Sequence, residues 1–198
     1  MIVDVERAAR AIEQGLVVAY PTETVYGLGV DARSRDALAR LNALKGRSEP
    51  QAVSLLVAGF DAVERIAPSV PAAARRLAER FWPGPLTLVV PVDAAQFAGV
   101  RSSRGVGFRC SSDPTARALL QALAHEIVST SCNRSGEQPC TTADEVESTF
   151  GSDLCVAGGG AAGGQAPSTV VALDASGGIE LLREGALPWA ELVEQGVT

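Results

Sequence analysis

A single lysine stands out among the residues of this chain that could do chemistry. Lys45 is the one lysine beside sixteen arginines, and it lies in the tripeptide Lys45-Gly46-Arg47. A lysine ammonium is a flexible point charge that can reach a phosphate, whereas an arginine guanidinium is a rigid fork that makes paired hydrogen bonds. The two together would suit a polyphosphate. Taken alone, Lys45 is better explained as a cation that caps the end of a helix.

Two further segments place polar side chains directly after apolar, strand-like runs. The segment from Tyr20 to Gly29 reads Tyr-Pro-Thr-Glu-Thr-Val-Tyr-Gly-Leu-Gly. Hydroxyls, a carboxylate and glycines at a strand end are typical of a ligand site in an α/β sheet, although a plain Pro/Gly turn remains as good an interpretation. The segment from Ser129 to Gly136 carries hydroxyls and an amide that can cradle phosphates. This segment lacks the Gly-x-x-x-x-Gly-Lys-Ser/Thr spacing of a Walker loop, so a nucleotide site here would not be a P-loop.

Two other features allow more than one interpretation. The turn Trp82-Pro-Gly-Pro85 is expected to fix backbone shape rather than to do chemistry. Arg109 ends a predicted strand and is either a buried fork for a carboxylate or an ordinary arginine at a sheet edge.

Nucleophilic catalysis is a weaker hypothesis. Ser131 or Cys132 could pair with His125 and Asp144, but the Gly-x-Ser-x-Gly elbow of the hydrolases is missing. His125 also follows an apolar helical face, where a histidine usually serves packing.

Composition excludes several classes of function. The 198 residues are 46% hydrophobic, 20% charged and 5% aromatic, and the net charge is -6. An acidic chain with few aromatic residues is a poor candidate for binding along a nucleic-acid backbone or for stacking bases. Four cysteines without a Cys-x-x-Cys pair, and a single histidine, argue against a structural zinc site. We find no leader sequence and no apolar run of about 18 residues, so we expect a cytoplasmic protein without a membrane span.

Helical and strand-like patterns alternate along the chain, and they must position these residues. The pattern predicts helices over Asp4–Gln14, from Ser34 to Lys45, over Asp61–Ile66 and Pro71–Phe81, after the N-cap Asp113, and after the capping box Thr142-x-x-Glu145. It predicts strands over Leu16–Tyr20, Val53–Val57, Leu86–Val92, Val106–Cys110, Ile127–Thr130, Thr169–Leu173 and Ile179–Leu182. The late strands have no helix between them, so the sheet should be mixed. The glycine-rich residues 158–164 are interpreted as either a lid or a plain linker.

Taken in order, the motifs resemble the YrdC-type L-threonylcarbamoyladenylate synthase family. The motifs are Tyr20 to Gly29, Lys45-x-Arg47, Trp82-Pro-Gly-Pro-Leu-Thr87, Arg109, Ser131-x-Asn133 and Pro167-Ser-Thr-Val170. The resemblance covers about residues 8–185 and is specific as an ordered set. It implies an α/β fold in which a twisted mixed sheet, flanked by helices, surrounds a deep, positively lined cavity. It also implies one YrdC-like domain over residues 1–198, the short form of the family.

The resemblance implies a reaction and a set of site residues. Family members make threonylcarbamoyl-AMP and pyrophosphate from L-threonine, bicarbonate or CO₂ and ATP, for N6-threonylcarbamoyladenosine at position 37 of tRNAs that read codons beginning with A. By position, the ATP phosphates would be held by Lys45, Arg47, Ser131, Asn133 and Arg183, with Lys45 and Arg47 as the catalytic cations. Further nucleotide contacts would come from Gln51, Gly105 and Cys140, and threonine would be held by Thr22, Arg109, Ser129 and Ser168.

The resemblance extends to cofactors and partners. Mg²⁺ is expected on the phosphates, without a dedicated protein site, and tRNA and the downstream threonylcarbamoyl transferases are expected as transient partners. Two positions depart from the family pattern: Leu56 stands where some relatives have a histidine, and Cys132 replaces the usual alanine inside Ser-x-Asn. An RNA-binding module of the same fold, or a paralogue that uses another acceptor, is the alternative function.

Overall fold

The computed structural model describes residues 1–46, 53–92, 100, 102–164 and 166–194. The strands in this part of the chain are β1 (Ile2–Val3), β2 (Val18–Tyr20), β3 (Gly27–Asp31), β4 (Ser54–Leu56), β5 (Leu86–Val90), β6 (Val106–Arg109), β7 (Ile127–Ser131), β8 (Cys155–Ala157), β9 (Thr169–Leu173) and β10 (Ile179–Arg183). The helices are α1 (Val5–Glu13), α2 (Arg35–Leu44), α3 (Phe60–Ile66), α4 (Ala72–Phe81), α5 (Pro114–Leu123), α6 (Ala143–Phe150) and α7 (Trp189–Glu194).

The ten strands form one sheet in the order β1-β8-β2-β3-β7-β4-β6-β5-β9-β10. Four neighbouring pairs are parallel, namely β1/β8, β2/β8, β4/β6 and β5/β9. The other five pairs are antiparallel. The prediction of a mixed α/β sheet is therefore confirmed.

The helix starts follow from capping side chains. Asp113 accepts hydrogen bonds from the first backbone N–H groups of α5, and Pro114 occupies a position where no N–H is needed. At α6, Thr142 and Glu145 make the reciprocal bonds of a capping box. Both starts agree with the sequence prediction.

Strand β3 was not predicted, because its glycines were interpreted as part of a loop. The ring of Tyr20 lies directly over Gly27 and Gly29, and a Cβ atom at either glycine would come within 3.0 Å of that ring. These glycines therefore allow an aromatic ring to pack on the sheet, which a sequence pattern does not distinguish from a turn. Strands β1 and β8 and helix α7 were also missed, since all three are too short to show a period.

Side chains from alternate positions of each strand face opposite sides of the sheet. On one face, Leu28, Leu55, Phe108 and Val128 join the larger buried cluster. On the other face, part of the sheet is covered by a smaller cluster that includes Ile12 of α1 and several leucines of α5. The rest of this second face carries polar side chains and glycine. Among the described residues, no helix has the length and apolarity that crossing a bilayer requires.

Candidate functional site

A cavity of about 400 Å³ opens on the second face of the sheet. Of the residues predicted from sequence to bind ligands, it brings together Thr22, Gly105, Arg109, Ser129, Ser131, Ser168 and Arg183. They come from distant parts of the chain and meet because strands β4 to β7 and β9 are neighbours in the sheet.

The alternation of side chains explains why Arg109 faces this cavity. In β6, Val106 and Phe108 are buried in the larger cluster, whereas Gly107 and Arg109 line the cavity. Arg109 is only 9% exposed, and its strand lies between β4 and β5. The two interpretations of Arg109 left open by the sequence are thereby resolved, since it is a buried arginine and not one at a sheet edge.

One end of the Arg109 guanidinium is held by the loop after β2. Its Nη2 donates to Thr22 Oγ1 at 3.3 Å, to Glu23 Oε1 at 3.1 Å and to Thr24 Oγ1. Its Nε is buried and has no hydrogen-bond partner among the described residues. A buried, unpaired donor is costly unless a ligand satisfies it. The unpartnered Nε is therefore a buried donor that a ligand carboxylate could satisfy.

A second polar contact with the cavity comes from Ser129. Tyr20 donates from its hydroxyl to Ser129 Oγ at 2.6 Å. Complete burial raises the pKa of Tyr20 to about 12, so the phenol stays a donor. The hydroxyl proton of Ser129 is not used in this bond and can be donated to a ligand.

The opposite wall contains a second arginine. Arg183 donates from Nη2 to the Ser168 carbonyl at 2.8 Å, and Ser168 Oγ lies 2.9 Å from Thr87 Oγ1. Desolvation and the positive charge of Arg109 lower the pKa of Arg183. Two guanidinium groups that repel each other across one cavity favour an anion between them.

Lys45 follows the end of α2, as predicted, but its ammonium does not fold onto that helix end. Nζ donates to the carbonyl oxygens of Ser131 at 2.5 Å and Asn133 at 2.9 Å, and to Asn133 Oδ1 at 3.2 Å. The residue is 1% exposed. Ser131 lines the cavity, Lys45 is not among the described residues that line it, and the hydrogen bonds of its ammonium support the loop after β7.

Four of the residues predicted to contact the nucleotide remain to be placed. Arg47 and Gln51 lie outside the described residues. Gly105 lines the cavity with φ +126°.

Cys140 is buried beside Cys132, whose carbonyl accepts from the Cys140 N–H at 2.8 Å. The hydrogen bond between the thiols lowers the pKa of Cys140 to about 6 and raises that of Cys132, which burial raises further. The predicted nucleotide contact of Cys140 stays a prediction.

The candidate nucleophile and its base lie at opposite ends of one strand. His125 precedes β7 and bonds through Nδ1 to the Glu126 carbonyl at 3.0 Å, whereas Ser131 ends β7 and donates to Asn133 Oδ1 at 2.6 Å. Five residues lie between them, and six steps of extended chain separate them by about 20 Å. The structure therefore does not assemble the triad.

The glycine-rich residues 158–164 pack against the loop that holds Arg109. The N–H of Gly163 donates to the Thr22 carbonyl at 2.8 Å, and that of Gly164 to the Thr24 carbonyl at 3.0 Å. Tyr26 also donates from its hydroxyl to the Gly160 carbonyl at 2.9 Å. None of residues 158–164 lines the cavity. In this structure the segment forms a strap over the loop, and its role as a lid or a linker stays a prediction.

Several cavity residues were missed by the sequence analysis. They are Tyr26, Ser54, Thr87, Arg104 and Gly107. Three of them, Ser54, Thr87 and Gly107, could have been found in the sequence, because each is a polar residue or a glycine between two apolar residues of a strand. Among the residues described, no group of three or more His, Cys, Asp or Glu side chains could hold a metal ion.

Comparison with known proteins finds relatives across nearly the whole chain. The model of the Sua5/YciO/YrdC family, described as Telomere recombination, matches residues 10–185. A threonylcarbamoyl-AMP synthase of Halorhodospira halophila is 40% identical over 151 residues, covering 76% of this chain and 79% of the relative. The threonylcarbamoyl-AMP synthase of Pyrococcus abyssi is 37% identical over 190 residues, covering 93% of this chain and 55% of the relative.

A solved structure supports the same relationship. The crystal structure of P. abyssi Sua5 complexed with L-threonine superposes with a TM-score of 0.89 at 33% identity, over 98% of this chain and 60% of that chain. The present chain thus spans little more than half the length of the Pyrococcus protein and about four-fifths of the Halorhodospira protein.

Proposed function

Since this chain belongs to the Sua5/YciO/YrdC family, we propose that it is an L-threonylcarbamoyladenylate synthase. It converts L-threonine, bicarbonate and ATP into threonylcarbamoyl-AMP, pyrophosphate and water. The observation that carries the proposal is the pairing of Arg109, with its unpartnered Nε, and Arg183 in one cavity. Such a cavity offers one cation to an amino acid carboxylate and another to a phosphate.

In the proposed complex, Arg109 binds the threonine carboxylate. The carboxylate would accept from the unpartnered Nε, and to take a second, side-on hydrogen bond it would have to displace one of the internal acceptors of Nη2. Ser129, with its unused hydroxyl proton, and the hydroxyls of Thr22 and Ser168 are close enough in the cavity to read a small polar side chain. The amine is left free to take up CO₂.

The phosphates are proposed to lie against Arg183 and the loop after β7. Ser131 lines the cavity, and the ammonium of Lys45 holds this loop through the carbonyl oxygens of Ser131 and Asn133. The Ser131 hydroxyl donates to Asn133 Oδ1 at 2.6 Å, so it would have to turn from this acceptor to donate to a phosphate. Arg47, Gln51, Gly105 and Cys140 remain proposed nucleotide contacts, and direct contact of Lys45 with phosphate remains part of the proposal.

The proposed reaction needs no protein nucleophile. The threonine amine and CO₂ form a carbamate, its oxygen attacks the α-phosphorus of ATP, and the bond to pyrophosphate breaks. Positioning and charge neutralisation carry such a displacement. The separation of His125 from Ser131 agrees with this chemistry, because no activated hydroxyl is required.

We propose that Mg²⁺ enters with ATP and is held by its phosphates, where it would neutralise charge on the leaving pyrophosphate. The one carboxylate beside Arg109, Glu23, is already bonded to that arginine and to Ser111. The cavity wall otherwise offers hydroxyls and guanidinium groups, which are donors to phosphate and poor magnesium ligands.

Other parts of the proposal concern the surroundings of the enzyme. The product would serve N6-threonylcarbamoyladenosine synthesis, so tRNA and the threonylcarbamoyl transferases are proposed as transient partners, and the cytoplasm as the location. We also propose that residues 1–198 form a single domain, because the strands of the described part all belong to one sheet.

The test is an assay of pyrophosphate release with ATP, L-threonine and bicarbonate supplied together or withheld singly. We expect release only when all three are present, with threonylcarbamoyl-AMP identified by mass spectrometry. Release without threonine would contradict the proposal. Release with a different amino acid would instead favour a paralogue, and salt-sensitive tRNA binding without any release would favour an RNA-binding module.

A further inference from the structure

We propose that Glu23 is a positioning residue that sets the specificity of the site for a substrate carboxylate by holding Arg109. The inference rests on the proposed function, because it concerns how the same site takes threonine. Glu23 was not among the residues predicted from sequence to contact a ligand, and it does not line the cavity.

Both carboxylate oxygens of Glu23 are engaged inside the protein. Oε1 accepts from Arg109 Nη2 at 3.1 Å, and the two side chains are 16% and 11% exposed. Oε2 accepts from the hydroxyl of Ser111, which is 2% exposed. The Ser111 hydroxyl in turn accepts from the N–H of Asp113 at 3.2 Å, immediately before α5. The carboxylate thus links the arginine to a rigid helix start.

The backbone of Glu23 is also clamped. A Cβ atom on Gly163 would lie 3.0 Å from Glu23 Cα, and one on Gly164 would lie 3.0 Å from the Glu23 carbonyl oxygen. The strap of residues 158–164 therefore sits on Glu23 with no room for a side chain. Glu23 is held from above by the strap and from the side by Ser111.

This arrangement fixes which donor of Arg109 is held by the protein and which one lacks a partner. Glu23 and two threonine hydroxyls compete for the Nη2 protons, whereas Nε has no partner among the described residues. Arg183 repels the guanidinium across the cavity. A fixed negative charge at Glu23 opposes that repulsion and keeps the Nε edge in one orientation. Pre-orienting a charged donor in this way favours a ligand with the matching charge and shape.

The test compares the wild type with Glu23→Gln, using L-threonine and its uncharged analogue L-threoninamide. Glutamine has the size of glutamate, but an NH₂ donor replaces one of the two oxygens, so it cannot accept at both the Arg109 and the Ser111 positions without moving. We expect the KM for threonine to rise about tenfold, with kcat and the KM for ATP changed less than about twofold. We expect the preference for threonine over threoninamide in kcat/KM to fall by a similar factor, because only the carboxylate depends on the orientation of Arg109.

The matched control is Glu64→Gln, which breaks an ion pair with Arg75 on the surface, where the side chains are 41% and 44% exposed. It should leave every kinetic constant unchanged. An unchanged threonine KM and preference in Glu23→Gln would overturn the inference, as would a fall in kcat alone, which would indicate proton transfer by Glu23. A wild type without threonine-dependent release would instead defeat the proposed function.

Should Glu23→Gln fail to fold, as judged by circular dichroism, Ser111→Ala decides. This variant leaves Glu23 and Arg109 in place and removes one hydrogen bond that orients the carboxylate. A threonine KM about threefold higher, with the KM for ATP unchanged, supports the inference. Wild-type constants for both substrates overturn it.

Discussion

The ammonium of Lys45 lies 2.5 Å from the carbonyl oxygen of Ser131, a residue that lines the cavity. This contact places the one lysine of the chain in a small space shared with two further oxygens of Asn133. A compact ammonium satisfies these three acceptors, whereas a planar guanidinium does not have the shape to do so.

We therefore expect Lys45→Arg to fold but to lose activity, by about 100-fold in kcat/KM, because the loop must move to make room. Threonine-dependent pyrophosphate release and circular dichroism measure the two effects. The reverse change at an exposed arginine, Arg80→Lys, is the control and should have no effect. Unchanged turnover in Lys45→Arg would show that activity does not require an ammonium, rather than a guanidinium, at this position.

Arg109→Lys should change the KM for threonine much more than the KM for ATP. Lysine keeps the charge but loses the fork that takes a carboxylate side-on, so the KM for threonine should rise by about 10- to 100-fold. The KM for ATP should change far less. Steady-state kinetics with each substrate varied in turn measure both, and Arg65→Lys on the surface is the control. An equal rise for ATP and threonine would contradict the assignment of Arg109 to threonine.

Gly105 should tolerate no side chain. Its φ is +126°, and a Cβ atom there would lie 1.9 Å from the carbonyl oxygen of Val90, which is backbone and cannot rotate away. We expect Gly105→Ala to lower the free energy of unfolding by about 3 kcal/mol or more, through backbone strain and this clash.

The control for this prediction is Gly136→Ala. Gly136 has φ +85° but no atom within 4 Å of the added Cβ, so it reports conformational strain alone, about 1 kcal/mol. Urea denaturation measures both variants. Equal losses for the two alanines would mean that the contact with Val90 is relieved at little cost.

Asp31 should make stability depend on acid pH. Hydrogen bonds from Arg33, at 2.9 Å to each carboxylate oxygen, hold the pKa of Asp31 below its usual range. The ionised carboxylate therefore stabilises the folded state at every pH above the unfolded pKa of about 3.9. This contribution is lost as the pH falls through the lower pKa of the folded state.

We expect Asp31→Asn to lower the free energy of unfolding by about 1–2 kcal/mol at pH 7, a modest value because Arg33 is 65% exposed. The difference from the wild type should be constant between pH 5 and 8 and should shrink below about pH 4. Denaturant titrations over this range measure it. A difference that persists undiminished at pH 2 would rule out the ionised pair as its source.

Most elements of the fold could be predicted because they have a clear period or a cap. The helix after Asp113 and the strand from Thr169 to Leu173 agree with the structure. Strand β3 could not be predicted, because Gly27 and Gly29 serve a contact with Tyr20, seven and nine residues away in sequence. The purpose of such a glycine becomes visible only when its partner across the sheet is known.

The site was predicted by its motifs but not by its internal connections. Arg109 and Thr22 were assigned to one substrate, and the structure joins them by a hydrogen bond of 3.3 Å. The role of Glu23 could not be predicted, since it depends on Ser111 and on the strap at Gly163, both far away in the chain. Motif order predicted residues that line the cavity, such as Arg109 and Thr22, but not Glu23, which is bonded to Arg109 outside the cavity wall.

The burial of Lys45 has a consequence for labelling experiments. Apart from the terminal amine of Met1, this ammonium is the one amine that an acylating reagent could modify, and at 1% exposure it is shielded in the native fold. Its rate of acylation therefore reports how often local opening exposes the ammonium of Lys45 to the reagent. Mass spectrometry can follow the acylation of Lys45 with time, so it measures this local opening beside a wall of the cavity without any introduced label.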